Sequence, residues 1–455
     1  MALHTIQKGL DIPITGAPVQ QIHDARPVSR VAVMADDFIG MKPRMHVRVG
    51  DTVKRGQSLF EDRKREGVLH TSPAGGTVAA IHRGARRALI SVVIEVGTEE
   101  ENHSFEAYKG SDLSAYDSEA VRALLVESGL WTTLRSRPYN RQPELNATPN
   151  SVFINCMDTN PLSAEVDVAA AGRGEDFLAG LEALLKLVEC DVFLARAPGD
   201  TVGGLAFHPR VKVHSFQGPH PAGLVGTHIH TLDPVWREKS VWHLNYADLI
   251  GWGELLRTGV LPVERVIAIG GPGVKNPRLV RTRAGASLDE LLQDELHEGE
   301  LRVIRGSVLS GTQAKGEAYG YLGRYDLQAS VLFEGRDREF LGWLSPGFNV
   351  FSTMPTYVSV LMGLKKFLPI STSTNGSHRA MVPVGRYEEV MPLDIEPTFL
   401  LRAILAGDLE TAETLGVLEL EPEDLAALTM EASALAQVPL AGTQHTVGRP
   451  DMTRF

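Results

Sequence analysis

Cysteine is nearly absent. The chain has two among 455 residues, Cys156 and Cys190, 34 positions apart and in no CxxC pair. That excludes a disulfide framework, and it argues against a zinc site or an iron–sulfur cluster held by this chain alone. Each cysteine flanks an apolar run, the usual setting of a buried free thiol in a reducing compartment. Long hydrophobic runs are missing too. None approaches the roughly 18 residues a spanning helix needs, and the opening MALHTIQKGL lacks the pattern of a secretory signal. Positive charge is in deficit, with 45 Lys and Arg against 56 Asp and Glu, a net charge of −11. Binding to nucleic acid or directly to an anionic membrane is therefore disfavoured. No nucleophile–base or acid–base constellation is legible. The expectation is a soluble cytoplasmic chain that reaches a membrane only through a partner.

What is present is ordinary globular material, 43% apolar and 22% charged, enough for two to four domains. The chain reads as an α/β multidomain protein in four parts. Residues 1–102 are all-β, with short runs at Val31–Met34, His46–Val49, Thr77–Ile81 and Leu89–Val96 separated by turn signals such as Gly50-Asp51 and Ala74-Gly75-Gly76. The segment VRVGDTVKRGQSLFEDRKREGVLHTSPAGGTVAAI resembles a biotinyl/lipoyl-like barrel–sandwich. Carrier versions of that module modify a lysine at a hairpin tip, and Lys64 falls near that place. The charged neighbours Glu61 to Glu66 also suit a plain surface turn.

Residues 103–262 read as α/β. Ser118 to Ser128 is a predicted helix, and Ser151–Cys156 a strand. In Glu175–Glu189, Phe177, Leu181, Leu184 and Val188 make a helical stripe, and Val192–Ala195 is the next strand. This βαβ unit predicts a parallel sheet. Gly172-Arg173-Gly174 opens the helix, but the third glycine of a dinucleotide fingerprint is missing and about fifteen residues separate the run from the first strand. A degenerate Rossmann-like domain fits. Residues 263–335 resemble a β-grasp module of the soluble-ligand-binding kind, with strands Val266–Ile269 and Leu301–Ile304 and a capping box, Ser287 and Glu290, opening a helix over Leu288–Leu296. Gly270-Gly271-Pro272-Gly273 lacks P-loop spacing. Residues 336–455 hold loops, an apolar-basic segment Val358–Phe367, a polar run Ser371–Gly376, helices Thr398–Ala406 and Asp408–Leu415, a third helix from Pro422 to about Leu435, and a polar tail.

The stretch Gln217–Trp236, QGPHPAGLVGTHIHTLDPVW, concentrates Gly, Pro and histidine. It reads as a turn-rich loop entering a strand over Thr227–Leu232, which would turn His228 and His230 to one face. With His214 and His220 nearby, the sharp reading is a metal site and a stand-alone metal-dependent enzyme. The plain reading is a backbone-shaped loop whose histidines hydrogen-bond to neighbours, since the nearest acid is Asp233 and metal motifs normally add a carboxylate or Cys at tight spacing.

This stretch also resembles a signature of the A-subunit family of the bacterial Na+-translocating NADH:quinone oxidoreductase. Gly9–Pro18 (GLDIPITGAP), Val241–Thr258 (VWHLNYADLIGWGELLRT), Arg265–Arg283, Leu322–Asp326, Arg379–Asp394 and Gly407–Leu420 continue the likeness in order. The resemblance implies a cofactor-free, cytoplasmic-face member of a bacterial inner-membrane complex. That complex passes electrons from NADH through flavins and a 2Fe-2S centre on partner subunits to ubiquinone, and expels Na+. The chief expected partner is the membrane-embedded, flavin-carrying B-subunit. The resemblance gives His220, Gly226, His228 and His230 no known role. Relatives in complex I and in Rnf-type complexes (there the C-subunit) cradle a flavin phosphate in a loop of the form GLGGAGFPT. The matching place here is Gly129–Asn140, GLWTTLRSRPYN, where side chains should fill the phosphate's space. Trp131, Arg135, Arg137 and Tyr139 are therefore candidates for contact with a quinone head group or a partner subunit, against a core tryptophan with solvated arginines. A flavin-binding NADH dehydrogenase subunit that holds flavin elsewhere is the remaining alternative. The tail after Thr429 departs from the family pattern.

Overall fold

The computed structural model describes residues 2–199, 201, 208–336, 344, 346–348, 350–351, 357–361, 367–373 and 385–428. Among these, two six-stranded sheets are joined by two smaller ones. The first large sheet is built on Ser151–Cys156. It pairs in parallel with Asp191–Arg196 on one side and Val241–Asn245 on the other. Asp191–Arg196 is parallel in turn to Val211–Gln217, which takes the N-terminal strand Ala2–Thr5 as a parallel edge. Arg135–Arg137 closes the opposite edge, antiparallel to Val241–Asn245.

Alternation along these strands explains the layers. Val152, Ile154, Val192, Leu194, Trp242 and Leu244 pack under helices Ser118–Glu127, Gly174–Leu187 and Tyr246–Thr258. Phe153, Phe193 and Val241 face the other way, onto Val225 and Ile229 of helix Val225–Leu232. The capping residues are local. Asp117 accepts from Ala120 N–H and Asn245 from Asp248 N–H, and Gly259, in the left-handed region at φ 71°, ends the last helix. Helices Gly174–Leu187 and Tyr246–Thr258 touch backbone to backbone through two glycines. A Cβ on Gly180 would stand 2.0 Å from the Leu249 carbonyl oxygen, and one on Gly253 1.8 Å from that of Asp176.

The second large sheet runs in the order Thr312–Gln313, Leu301–Arg305, Gln328–Phe333, Glu264–Gly270, Arg278–Arg283, Val19–Asp24. Glu264–Gly270 is antiparallel to Arg278–Arg283 and parallel to Gln328–Phe333. The first two strands of the chain thus complete the large sheets, whereas residues 30–96 form the two small antiparallel ones. In these, Arg30–Met34, Leu89–Val96, Gly76–Arg83 and Thr52–Val53 make one sheet, and Pro43–Met45, Ser58–Asp62 and Leu69–Thr71 the other. Helices Arg386–Val390, Pro397–Ala406 and Leu409–Thr414 share a further core, against which Leu10 and Tyr139 pack.

Several sequence expectations are corrected. The strand expected at His46–Val49 lies earlier, at Pro43–Met45, because its partner Ser58–Asp62 pairs there. The helix from Leu288 stops at Leu291, so that Leu296 can bridge to Val274. Its capping box is half made: Ser287 caps Glu290 N–H, but the Glu290 carboxylate turns to the Ser29 N–H and hydroxyl. Residues 422–425 form a turn before helical residues 426–428, and the rest of the helix expected there lies outside the described residues, as do 362–366 of the segment 358–367 and 374–376 of the run 371–376. The expected strand Thr227–Leu232 is part of the helix Val225–Leu232.

Candidate functional site

Chain order and strand order disagree at one place. Three strands, Ser151–Cys156, Asp191–Arg196 and Val211–Gln217, step one way across the sheet, and Val241–Asn245 then returns to the far side of the first. Where strand order reverses, a crevice opens at the carboxyl ends of the two diverging strands. Here it has a volume of about 300 Å³. Its floor is Met157, Asp158, Asn160, Asn245 and Tyr246. The second sheet supplies Gly306, Ser307, Tyr325 and Asp326, the turn after Met34 supplies Asp36 and Asp37, and the C-terminal region supplies Glu421 and Glu423. Burial raises Asp37 and Asp158 to about 6 and Glu423 to about 7. At Asp37 the neighbouring Arg305 guanidinium pulls the other way without overcoming burial.

The basic-aromatic segment divides around this crevice. Arg135 lines it, with its guanidinium 4.3 Å from the centre of the Tyr325 ring. Trp131 is wholly enclosed, donates Nε1–H to the Pro143 carbonyl at 2.9 Å and meets Trp242 edge-on at 5.7 Å. It is a core tryptophan. Arg137 is not solvated. It is 2% exposed and pairs with Asp424 at 3.0 Å, also donating to the Glu419 carbonyl. Tyr139 is half-buried against the C-terminal helices, under Arg141.

The histidine loop is tied to the same partners. Helical geometry turns His228 and His230 to different faces, about 200° apart. His228 is fully buried and donates from Nε2 to the Ala222 carbonyl at 2.9 Å. His220 is 1% exposed, and its Nδ1 lies 3.3 Å from the Thr159 hydroxyl. Burial holds both imidazoles down to about 4, so they are neutral. His230 faces out, its Nδ1 2.8 Å from Glu419 and its Nε2 accepting from Asp394 N–H at 2.9 Å. Gly226 is required by contact: a Cβ there would lie 2.2 Å from Oδ1 of Asp424. His214 is 3.0 Å from His4 at the sheet edge. Among the described residues no three His, Cys, Asp or Glu side chains gather where they could hold a metal ion. The histidines of this loop instead take separate partners within the chain, His220 at Thr159, His228 at the Ala222 carbonyl and His230 at Glu419. Two stretches distant in sequence, 131–139 and 220–230, meet on Glu419 and Asp424, residues that no motif singles out.

A second cavity, about 80 Å³, lies where the barrel-like sheets meet both large ones. Met34, Phe38, Leu130, Leu261 and Leu322 wall it, with Asp37, His70, Arg265 and Arg324 among its polar members. His70 is 3% exposed, stacked on Phe60, and its Nδ1 has no hydrogen-bond partner among the described residues. Burial holds it neutral, down to about 3. Elsewhere, Lys64 is exposed in the hairpin turn between Ser58–Asp62 and Leu69–Thr71. Arg173, at the Gly172–Gly174 run, pairs with Asp176 at 2.7 Å, and Glu175 and Asp176 fill the first helical turn, which opposes a phosphate there. Cys156 is buried and Cys190 half-buried, both as free thiols. No described helix is long and apolar enough to cross a membrane.

Three family descriptions match in chain order. Residues 4–97 match the NqrA N-terminal barrel-sandwich hybrid domain, residues 116–261 the NqrA second alpha/beta domain, and residues 266–316 the NQRA C-terminal domain. The chain is 51% identical over 425 residues to the A-subunit of the Na(+)-translocating NADH-quinone reductase of Histophilus somni (strain 2336), covering 93% of this chain and 94% of that one. The subunits of the same name from Actinobacillus succinogenes and Pasteurella multocida (strain Pm70) are 52% and 51% identical over the same coverage. Among solved structures, an air-oxidized NAD+-reducing NiFe hydrogenase aligns over 52% of this chain and 50% of its own, at 14% identity and a TM-score of 0.36. The length and level of the first three likenesses are decisive, and the chain belongs to the NqrA family, the A-subunits of the Na(+)-translocating NADH-quinone reductase.

Proposed function

We propose that the chain acts within a Na+-translocating NADH:ubiquinone reductase as a peripheral subunit that carries no flavin of its own, rests on the membrane-embedded, flavin-carrying B-subunit at the cytoplasmic face, and offers a pocket to the quinone head group. Electrons pass from NADH to the quinone through flavins and the 2Fe-2S centre of the partners. In this reading the first sheet is a Rossmann-like domain, which its strand order supports, and the second is a β-grasp module, which its mixed pairing supports.

The observation that carries the reading is the turn Leu130–Thr133. A flavin phosphate needs free backbone N–H groups and no side chains in their way. Here the N–H groups of Leu130, Thr132 and Leu134 are already bonded, to the Ser128 hydroxyl and to the Gly129 and Trp131 carbonyls. The Trp131 indole is packed beside them. These residues do not fit a flavin phosphate. What the turn does border is the small cavity, whose apolar walls, with the donors His70, Arg265 and Arg324 among its polar members, suit a ring bearing carbonyl acceptors.

Two measurements on the purified full chain test this. Its visible absorbance should be flat, and a flavin spectrum would overturn the cofactor-free reading. Ubiquinone-1 should quench the tryptophan fluorescence saturably, and Leu130→Trp, which fills the cavity, should abolish that binding at an unchanged melting temperature. Retained binding in the filled variant would sink the quinone assignment.

A further inference from the structure

The large crevice has a chemistry unlike that of the small cavity. It occupies the place where a doubly wound sheet takes its ligand, yet its lining is predominantly acidic, which opposes a phosphate. The turn after Ser151–Cys156 is Met157-Asp158-Thr159-Asn160, with a carboxylate where a phosphate-binding turn has glycine. Six carboxyl groups line the space, those of Asp36, Asp37, Asp158, Asp326, Glu421 and Glu423, against the single guanidinium of Arg135. Three of the six share one cation: Asp36, Asp37 and Asp326 surround Arg305 at 2.5, 2.8 and 3.8 Å. Asp158 and Glu423 have no cation within ion-pairing distance among the described residues. Asp158 spends Oδ1 on the backbone and side-chain N–H groups of Asn160, and Oδ2 makes no hydrogen bond among the described residues. Glu423 makes no side-chain hydrogen bond there either.

A second observation is independent of the acids. Tyr246, the first residue after Val241–Asn245, is 5% exposed and lines the crevice, and its hydroxyl bonds to nothing among the described residues. The phenol ring is enclosed and its hydroxyl opens onto the crevice without a partner among the described residues, which leaves it available to a bound molecule.

We propose that the crevice is a binding site for the head group of a small organic cation carrying N–H donors, an ammonium or a guanidinium, held by Asp158, Glu423 and the Tyr246 hydroxyl. The crevice already holds one such group, since Arg135 lies over the Tyr325 ring. The site goes beyond the quinone reading: of the residues lining the small cavity, only Asp37 also lines the crevice. Its ligand is either a free amine or a basic side chain of a partner subunit. With Asp158 raised to about 6 and Glu423 to about 7, the two carboxyls lose their protons between about pH 6 and pH 8. Glu423 is faced there by Asp424, Asp158, Arg135 and Arg137. A cation displaces those protons, so binding tightens as pH rises through this range.

The test is calorimetry with 1,4-diaminobutane on the full chain at pH 6 and pH 8, with adenosine monophosphate as the phosphate-bearing control. Binding of the diamine should strengthen about tenfold between the two pH values and release protons into the buffer. Asp158→Asn with Glu423→Gln should remove both the pH dependence and most of the affinity, and Tyr246→Phe should weaken binding several-fold. An unchanged melting temperature in each variant separates loss of the site from loss of the fold. Repeating the titration on the assembled complex distinguishes the sources: binding there too means a free amine, and blocked binding means that a partner's basic side chain occupies the site. No heat from the diamine on the isolated chain, equal affinity in the double variant, or preference for the nucleotide would each overturn the proposal.

Discussion

At His228 a second ring proton has nowhere to go. Nε2 already donates to the Ala222 carbonyl, Nδ1 is buried without a partner among the described residues, and burial holds the ring neutral down to about 4. An unfolded histidine takes its proton near 6.5, so between those values the unfolded chain binds one proton more than the folded one. The contribution of this site is complete above about 6.5 and is lost as pH falls towards 4. Gln at 228 reaches the same carbonyl with a non-titrating amide. His228→Gln should therefore flatten the acid side of the stability curve by up to about 1.4 kcal/mol per pH unit across that window, measured by urea unfolding at several pH values. Arg137 gives the second expectation at this scale. Its pair with Asp424 is almost without water, at 3% and 4% side-chain exposure. Arg137→Met should cost about 3–5 kcal/mol, because Asp424 is left charged and buried, and Arg137→Met with Asp424→Leu should recover much of the loss. Arg137 was visible in the sequence as one of a basic-aromatic group. Its role was not, because the partner lies 287 positions away and a lone Asp in an acidic chain carries no signal.

Elements were legible where one period dominated. The stripe Phe177, Leu181, Leu184 gave its helix, and the apolar runs at 151–156 and 191–196 gave parallel strands. The stretch VGTHIHTL misleads because two periods fit it. Thr227, Ile229 and Thr231 alternate as in a strand, and Val225, His228, Ile229 and Leu232 repeat as in a helix. Tertiary contacts decide between them: Thr227 bonds back to the Pro221 carbonyl, Val225 and Ile229 pack on the sheet, and the Asp424 carboxylate lies over the first turn at Gly226. The glycines of Tyr246–Thr258 show a signal that composition hides. Gly253 weakens its own helix by propensity, yet it lets the Asp176 backbone approach where a methyl group would overlap it. Gly253→Ala should therefore destabilise rather than stabilise, by about 1–3 kcal/mol or more, whereas Ala at Gly172, with open space around its Cβ position, should cost only the strain of its left-handed φ of 77°, about 1 kcal/mol. Thermal melts of the two variants side by side would show the contrast, and a Gly253→Ala protein more stable than the parent would refute the backbone contact.

For the whole molecule, the C-terminal unit matters because its residues 421–423 wall the crevice without belonging to either large sheet. Residues 385–428 bury a small core of their own around Leu400, Ala412 and Val417. A unit of that size lies near the lower limit for independent folding, about 40 residues. Its order must then come from its attachments. These include His230 to Glu419 and to Asp394 N–H, Arg137 to Asp424 and the Glu419 carbonyl, Arg237 to Glu413, and the packing of Leu10 and Tyr139 on its core. His230 engages two separate turns of the unit, at Asp394 and at Glu419. It accepts from Asp394 through Nε2, which fixes its proton on Nδ1, facing Glu419. His230→Ala should remove about 1–3 kcal/mol of attachment while leaving the first sheet intact, since the ring lies outside both its cores. Scanning calorimetry should then show a separate early transition, and limited proteolysis should cut first between residues 385 and 428. His230→Asn, which keeps a donor and an acceptor on a shorter side chain, should restore part of the attachment. A single unshifted transition in His230→Ala would mean that the helices hold themselves, and that the signature histidine serves something other than closing the crevice.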